Sequence, residues 1–318
     1  MDHPPQIILP ASSSYPPPSQ SWARIRSWLS REYPELGDTL NYGIPQIHLS
    51  QIEMQLGFLP SAVRQSYLCV NGQEAESAAG CSEGLFFGLT LLPLEAVLEE
   101  WKFWREIIDN EPSTELLHDA MQSIPPGWIR KSYSQRGWIP LIADKAGNFV
   151  GIDLNPGDSG SVGQVIVFGR DFDIKVVLWK GAGPGGWATW LASFADELEL
   201  GEGFEIGASG DASDYSEDDV GYDSYFYDGS GRGQGDRGRD AGSGGGLRYT
   251  GEYRGWNVLE AWADKSVRKW HEAGVISDAS LKSAGVSVKP RVSYYYYFEI
   301  LPDFLLTYFY QPNALRHK

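Results

Sequence analysis

The sequence predicts an α+β fold, in which a sheet of about five to six strands is flanked by helices and by disordered N- and C-terminal arms. Three observations support this prediction. Four short runs of β-branched and aromatic residues lie between Trp138 and Trp179, separated by turn-forming Gly, Asn, Asp and Pro. Two long segments on either side of these runs have apolar residues at three- and four-residue steps. Segments toward both ends are instead rich in Pro, Ser, Gly and Asp.

The composition is that of an acidic chain. Its 318 residues include 42 acidic and 26 basic side chains, which give a net charge of −16. Lys and Arg are the residues that bind the phosphates of nucleic acids and anionic lipids, so this balance argues against nucleic acid or an anionic membrane surface as the partner. The sequence contains no uninterrupted apolar run long enough for a membrane span, and none is predicted.

The N-terminal residues and the cysteines indicate a cytoplasmic protein. Asp2, His3 and several prolines stand where a secretory signal would have a basic patch and an apolar run, so no signal peptide is predicted. Cys69 and Cys81 are expected to be reduced thiols, with a disulfide between them as the alternative. Residues 1–20 are expected to form a disordered, proline-rich arm, either unoccupied or docked on a proline-recognition module.

The first helix is expected to start at Ser21 and to stop before Pro34. Its apolar residues, Trp22, Ile25 and Leu29, are three or four positions apart and therefore share one face. This pattern predicts that the face packs against the core.

Two short helices are expected next. Ser50 and Glu53 have the spacing of a capping box, which predicts a helix N-terminus at Ser50. Gly57 ends this helix, and Pro60 suits the first turn of the helix that follows. The pair Asn71-Gly72 is expected to end that second helix in the left-handed conformation.

A strand and a long helix are predicted after these. The apolar residues 84–92 are expected to form a short strand, and Pro93 begins the most strongly amphipathic helix of the sequence. The helix face expected against the sheet consists of Leu94, Val97, Leu98, Trp101, Trp104 and Ile108. Residues 128–133 are predicted as a further strand that leads into the central runs.

The four central runs are predicted to form a meander of adjacent strands. Gly147 and Asn148 tolerate the positive φ of a tight reversal, and Pro156-Gly157 opens the next loop. The fourth run, Ile174 to Trp179, extends the series. The meander is therefore the expected scaffold on which the helices pack.

Residues 21–201 are expected to form the folded domain. After a glycine-rich loop at residues 181–186, its last helix runs from Trp187 to Leu200 and ends at Gly201. The composition then changes, because residues 202–254 are dominated by Gly, Asp and Ser with few aliphatics. Such a segment cannot offset the entropy of ordering, so a disordered acidic linker is predicted.

A helix and a tail are predicted beyond the linker. Residues 255–274 recover helical spacing, and the helix is expected to dock either on the domain or on a partner. The tail, residues 275–318, contains an aromatic segment from Tyr294 to Tyr310. A strand, an interfacial anchor and a mis-spliced gene end all stay open for this segment.

No catalytic, cofactor or metal site is predicted. The segment Gly157-Asp158-Ser159-Gly160 resembles the surroundings of a serine-protease nucleophile, but the five histidines are isolated, so a turn is favoured. Asp171 and Asp173 would share one face of a strand, yet a hard cation needs several further oxygen ligands. The glycines of residues 181–186 lack the Lys-Ser or Lys-Thr of a phosphate-binding loop.

The acidic linker contains two further features. Arg232-Gly, Arg237-Gly and Arg239 resemble RNA-binding arginine-glycine segments, but the acidic residues before them predict poor RNA affinity. Ser213 and Ser216 precede acidic residues, which is the setting that acidophilic kinases favour. We hypothesise that these serines are phosphorylated, which intact-mass measurement of the native protein would test.

A set of motifs occurs in one register through the predicted domain, among them Asn71-Gly72-Gln73-Glu74 and Phe168-Gly169-Arg170-Asp171. In this register residues 21–201 resemble the fungal Smi/Knr cell-wall-assembly regulators, which belong to the SUKH superfamily. The motif residues, expected to be mostly structural, are Gly57, Pro60, Gly72, Glu74, Gly88, Trp101, Trp104, Trp138, Pro140, Asp144, Gly147, Asp153, Gly169 and Asp171.

The resemblance implies an α+β domain with a mixed or antiparallel sheet and no catalysis. It also implies a cytoplasmic hub or scaffold, concentrated at sites of polarised growth, whose partners are proteins. Such regulators connect glucan and chitin synthesis in the cell wall with the cell-integrity kinase pathway. Bacterial relatives neutralise toxins by binding them.

The sequence therefore predicts a non-enzymatic regulator of cell-wall assembly that acts through protein binding. Its exposed determinants are expected at Trp101, Trp104 and the loops around Asp144 and Asp158, with core packing as the favoured alternative for both tryptophans. One alternative function is an immunity-type protein that neutralises a toxin. Another is a hydrolase that uses Asp153, Asp158 or Asp171.

Overall fold

The centre of the molecule is a mixed six-stranded sheet, which confirms the predicted α+β class. The computed structural model describes residues 15–74, 84–110, 121–180, 185–207 and 246–278. The strands of the sheet are β1 (Thr90–Leu91), β2 (Gln122–Ile124), β3 (Trp138–Ala143), β4 (Asn148–Asp153), β5 (Gln164–Gly169) and β6 (Ile174–Trp179). Their spatial order is β1-β3-β4-β5-β6-β2.

The four central strands form the predicted meander. β3, β4, β5 and β6 pair antiparallel in sequence order, β1 adds to β3 antiparallel, and β2 adds to β6 in parallel. The turn between β3 and β4 differs from the prediction in one residue. Positive φ angles occur at Lys145 and Gly147, whereas Asn148 is the first residue of β4.

Helices pack around the sheet, and each of them except the four-residue α2 overlaps a helix that the sequence predicted. They are α1 (Pro18–Glu32), α2 (Pro34–Gly37), α3 (Gln46–Leu56), α4 (Ser61–Tyr67), α5 (Leu94–Asn110) and α6 (Gly186–Leu200). The predicted apolar face of α1 is buried, as is the face of α5 from Leu94 to Trp104. α1 begins at Pro18, inside the range expected for the N-terminal arm. No helix in the described ranges is long and apolar enough to cross a bilayer.

The predicted capping box at Ser50 is wrong. α3 begins at Gln46, so Ser50 lies in the second turn of the helix rather than at its N-terminus. The Glu53 carboxylate instead accepts hydrogen bonds from the Leu59 backbone amide at 3.2 Å and from the Arg64 guanidinium. The Glu53 side chain therefore joins α3 to α4 and does not cap the N-terminus of α3.

Three other predicted boundaries are also wrong. The strand expected at residues 84–92 is reduced to β1, because the chain reverses at Phe87 and Gly88, both with positive φ. The strand expected at residues 128–133 is irregular chain, and the adjacent strand is β2. α4 ends at Tyr67, before the Asn71-Gly72 pair that was expected to end it.

Both faces of the sheet are buried. On β5, Val165 and Val167 enter the core beneath the helices, whereas Ile166 and Phe168 enter a second core on the opposite face. That alternation is the period-2 geometry of a strand. The second core consists of Trp104, Met121, Trp128, Ile129, Tyr133, Trp138, Phe149, Ile166, Phe168 and Val177.

The chain beyond α6 returns to the domain. β7 (Phe204–Gly207) pairs antiparallel with β8 (Gly246–Tyr249), so two strands lie within the range expected for the linker. A short 3-10 helix (Gly251–Tyr253) leads to α7 (Val258–Glu272), which packs on the domain. Predictions for Cys81, residues 181–184, Ser213, Ser216, the Arg-Gly segment and Tyr294 to Tyr310 lie outside the described residues.

Candidate protein-binding groove

The tryptophans singled out by the sequence are core residues. Trp101, Trp104 and Trp138 are 6%, 6% and 2% exposed. The Trp101 indole N–H donates to the Arg136 carbonyl at 2.8 Å, which fixes the irregular chain before β3. Trp101 and Trp104 therefore pack in the core, which is the favoured alternative, and are not exposed binding determinants.

The motif residues at the β3–β4 turn form one hydrogen-bonded network. The Asp144 carboxylate accepts from the backbone and side-chain N–H groups of Asn148 at 2.9 and 2.7 Å. The Asn148 side chain also donates to Asp171 at 2.9 Å and accepts from the Asp171 backbone amide at 2.8 Å. Arg170 donates to the Asp171 carboxylate at 3.1 Å. This network joins the β3–β4 and β5–β6 turns.

Gly169, at the end of β5, lies against this network, and the backbone leaves no room for a side chain there. Its φ is +146°, and an added Cβ would lie 2.4 Å from the Asn148 Cα. Gly72 has a comparable role, with φ at +75° and Pro93 backbone atoms 2.3 Å from the Cβ position. Other motif residues lie at turns, element ends or the β3 bulge, namely Gly57, Pro60, Gly88, Pro140 and Gly147. Glu74 follows the isolated bridge between Leu40 and Gln73.

Asp153 is a buried structural carboxylate. It accepts from the Asn155 amide at 2.9 Å and from the Gln164 side chain at 3.0 Å. Burial raises the pKa of Asp153 to about 6, although these hydrogen bonds act in the opposite direction. Gln164 also donates to the Trp128 carbonyl at 2.8 Å, so the pair holds the irregular chain that covers the second core.

The acids of the hydrolase alternative occupy three separate places. Asp153 is buried at the end of β4, Asp158 is exposed in the following loop, and Asp171 lies in the β5–β6 turn network. Within the ranges that the structure describes, no group of three or more His, Cys, Asp or Glu side chains has the arrangement of a metal site.

An open groove of about 360 Å³ lies between α6 and α7, over the end of β6. Its floor is apolar and consists of Leu178, Trp190, Phe194 and Trp262, all less than 9% exposed. The rings of Trp190 and Trp262 meet edge to face at a centroid distance of 5.5 Å. The aromatic faces of the two helices therefore meet at the bottom of the groove.

The wall on α6 is acidic and the wall on α7 is basic. Asp196 and Glu197 stand on the first, with Glu202 just beyond the helix, and Lys265 and Lys269 stand on the second. Lys265 donates to Glu197 at 2.9 Å, which ties the two helices together. A peptide lying here would meet an apolar floor and charges of both signs.

Tyr249, on β8, supports the contact between α6 and α7. Its hydroxyl donates to Glu197 at 3.2 Å and accepts from the Trp262 indole at 2.6 Å, and the Lys265 ammonium lies 3.8 Å from the ring centroid. Burial, followed by the Glu197 charge, raises the pKa of Tyr249 well above its usual range. The hydroxyl is therefore held protonated as a structural hydrogen-bond donor.

Sequence reasoning did not find this groove. The amphipathic patterns of residues 187–200 and 256–273 identified its two walls separately. Their meeting depends on the return of the chain after residues 208–245, which no local pattern specifies.

Comparison with known proteins identifies relatives for the six-stranded part of the fold. Residues 43–183 match the family model described as "SMI1 / KNR4 family (SUKH-1)". This range runs from just before α3 through the whole six-stranded sheet.

Three curated fungal proteins illustrate the similarity. The chain is 38% identical over 200 residues to "Cell wall biosynthesis/cell cycle regulator smi1" of Schizosaccharomyces pombe, covering 60% of this chain and 38% of the relative. It is 34% identical over 214 residues to "Cell wall assembly regulator SMI1" of Saccharomyces cerevisiae, covering 58% and 41%. It is 33% identical over 216 residues to "Glucan synthesis regulatory protein" of Neurospora crassa, covering 58% and 39%. The match thus spans about two fifths of each of these relatives.

Proposed function

We propose that the protein is a non-enzymatic regulator of cell-wall assembly that acts by binding other proteins, because residues 43–183 match the model of the SMI1/KNR4 family (SUKH-1). The names of the relatives support the regulatory role, since they refer to cell-wall assembly, cell-wall biosynthesis and glucan synthesis. The proposed partners are proteins of wall synthesis and of the cell-integrity kinase pathway. The proposed location is the cytoplasm, concentrated at sites of polarised growth.

The groove between α6 and α7 is the observation that carries the binding mechanism. Its volume of about 360 Å³ accommodates one or two large side chains of a peptide. An apolar anchor that becomes buried against Trp190, Phe194 and Trp262 would contribute about 1.5–3 kcal/mol. The charged walls then select the polar residues on either side of the anchor.

The groove predicts the type of segment that binds. Asp196 and Glu197 already have cationic partners, since Asp196 accepts from Arg24 at 2.6 Å and Glu197 accepts from Lys265. Lys269 is exposed on the opposite rim. We therefore expect a partner segment in which an apolar or aromatic side chain is followed by an acidic group that reaches Lys269.

A groove-filling substitution tests this function. Ser193 is half-buried in the groove, and Ser193→Trp places an indole where the peptide anchor would lie. Ser30→Trp is the matched control on α1, because Ser30 is exposed and its hydroxyl, like that of Ser193, donates to the carbonyl three residues earlier. Lys269→Glu is a second test variant that changes only the rim charge.

The readout is affinity capture from a fungal lysate with quantitative mass spectrometry. We expect the original chain and Ser30→Trp to recover the same wall-synthesis and kinase-pathway proteins, and Ser193→Trp and Lys269→Glu to lose most of them. Equal recovery by all four chains would exclude the groove as the binding site. Recovery of no wall-synthesis or kinase-pathway protein by the original chain would contradict the proposed function itself.

A further inference from the structure

One stretch of this highly charged chain is almost free of charge. Between Thr39 and Val63, 25 residues, Glu53 is the only Asp, Glu, Lys or Arg, whereas the 21% charged content of the whole chain would place about five there. The Glu53 side chain is itself only 9% exposed and is paired with Arg64. The surface formed by this stretch is therefore nearly neutral.

The same stretch exposes large apolar side chains. Tyr42, Ile47, Met54 and Phe58 are 91%, 67%, 80% and 82% exposed. We call these four residues the α3 outer face. Ile47 and Met54 are seven positions apart, or two helical turns, so they point the same way. The residues on the other side of α3, Leu49, Ile52 and Leu56, are buried in the main core. Large exposed apolar side chains on one short stretch of chain are typical of an interaction surface.

The net charge indicates what covers this face. Two copies of a chain with a net charge of −16 repel one another, and the repulsion is weakest where the facing surfaces carry no acidic groups. Glu53, the one acidic residue of this stretch, is largely buried and paired with Arg64, so the α3 outer face adds no exposed acidic group of its own. Interface cores are depleted in charge and enriched in aromatic residues and Met, which is the composition found here.

The face is also self-complementary. Ile47 and Met54 lie symmetrically about the Ser50-Gln51 peptide, so a two-fold axis at that point places Ile47 of one copy opposite Met54 of the other. Ser50 is small and exposed, which allows the two helices to approach closely. The four side chains expose roughly 600 Å² in total along this stretch, compared with the ~800 Å² per partner of a standard interface.

From these observations we infer that two copies of the chain associate through the α3 outer face, with the two α3 helices antiparallel across a two-fold axis. The dimer is independent of the groove, since α3 contributes no residue to the groove between α6 and α7. Each copy keeps its groove, so the dimer presents two equivalent peptide sites.

Sedimentation equilibrium of the full chain between about 1 and 100 µM tests the dimer. Met54→Glu introduces a carboxylate into the contact twice, once per copy, and we expect the dimer dissociation constant to rise at least about tenfold. Val162→Glu is the matched control, because Val162 is an exposed apolar residue (53%) on the loop between β4 and β5 and receives the same charge change. We expect its dissociation constant to equal that of the original chain.

A charge pair across the axis tests the antiparallel arrangement. Ile47→Lys combined with Met54→Glu places opposite charges face to face at both ends of the contact, so the double variant should regain dimerisation lost in Met54→Glu. A dimer of equal strength in Met54→Glu and Val162→Glu would exclude this face. A monomer at every concentration would overturn the inference. If Met54 of that monomer resisted peroxide oxidation, the finding would assign the face to another segment of the same chain.

Discussion

Lys175 is a fully buried amine on β6, on the face of the sheet that contains the second core. Its ammonium donates to the Phe172 carbonyl at 2.9 Å and to the Met121 sulfur at 3.0 Å, and it lies 5.6 Å from the Trp138 ring centroid. Burial lowers the pKa of Lys175 to about 7, although the nearby Asp173 acts in the opposite direction. The amine therefore releases its proton at a much lower pH than an exposed lysine does.

This depressed pKa predicts a pH-dependent stability. The unfolded chain holds the Lys175 proton up to a pH of about 10, whereas the folded chain releases it near 7, so the unfolding free energy rises with pH through this window. Lys175→Met removes the titration while keeping a similar volume. We expect a flatter pH profile and a gain of about 1–3 kcal/mol at pH 7, measured by urea unfolding from pH 7 to 9.5.

Lys131→Met is the control for this prediction, since Lys131 is exposed in the irregular chain before β3. Its pH profile should follow that of the original chain. A Lys175→Met variant whose stability changed with pH as steeply as the original would show that Lys175 is not the group responsible.

At the same scale, the sequence identified many important residues but not their roles. The family motifs identified Trp101, Trp104 and Trp138 as important. In the structure these residues are buried in the core. The burial of Lys175 was not predicted, because a buried lysine that alternates with apolar residues on a strand has the same sequence pattern as a lysine that faces solvent. The position is buried because Met121, Trp138 and the other residues of the second core cover that face of the sheet.

The start of α5 shows how distant residues determine an element. The Asn71 side chain accepts from the Leu94 backbone amide at 2.9 Å and donates to Glu95 at 3.2 Å. It therefore caps the N-terminus of a helix that begins more than twenty residues later. The sequence had assigned the same residue to the end of α4.

Asn71→Ala should destabilise the protein by about 1–2 kcal/mol, because the Leu94 amide then loses its acceptor at a partly buried helix end. Chemical unfolding monitored by circular dichroism measures the change. Gln65→Ala, an exposed polar residue on α4, is the control and should alter stability by less than about 0.5 kcal/mol. Equal stability of the two variants would mean that Asn71 is not an effective cap.

Helices and strands were predicted correctly where the pattern of buried apolar residues determines their position. The meander and the faces of α1, α5 and α6 followed from period-2 and period-3.6 patterns that match the buried residues. The capping box failed because its contribution of about 1 kcal/mol is small, and Glu53 gains more from Arg64 and Leu59. The strand expected at residues 128–133 failed because Trp128, Ile129 and Tyr133 are buried without any strand pairing.

At the scale of the whole molecule, the segments on either side of residues 208–245 pack into one core. Leu247 and Tyr249 of β8 and Leu259 and Trp262 of α7 belong to the same core as α1 and the sheet. Phe87 stacks on Tyr249 at a centroid distance of 4.2 Å and also meets Phe194 and Trp262. The folded unit therefore includes α7 and does not end at Gly201.

A single cut within residues 208–245 should leave the two fragments associated. A protease site introduced there, followed by cleavage and gel filtration under native conditions, should give one peak containing both fragments. A chain that stops at Gly201 is the comparison, and its melting temperature should fall well below that of the cleaved complex, because removing β8 and α7 exposes Phe87 and Trp190. Separation of the fragments would contradict this arrangement.

Neither proposed binding surface could be predicted at this scale. The groove requires α7 to settle beside α6, and amphipathic spacing specifies that α7 has a buried face without specifying what covers it. On the α3 outer face, Ile47 and Met54 are apolar residues that composition alone would assign to the core. They are exposed because Leu49, Ile52 and Leu56 already occupy the buried side of α3, the helix that packs against α5.

The pairing of Gly207 with Gly246 has a consequence for how partners are held. The two ends of the 38-residue stretch between them therefore lie at one point of the domain, five residues from Glu202 on the groove rim. A partner that contacts the chain beside either glycine is therefore held next to the groove, so that a second contact in the groove forms within the same complex instead of from free solution. Two individually weak contacts then combine into avidity.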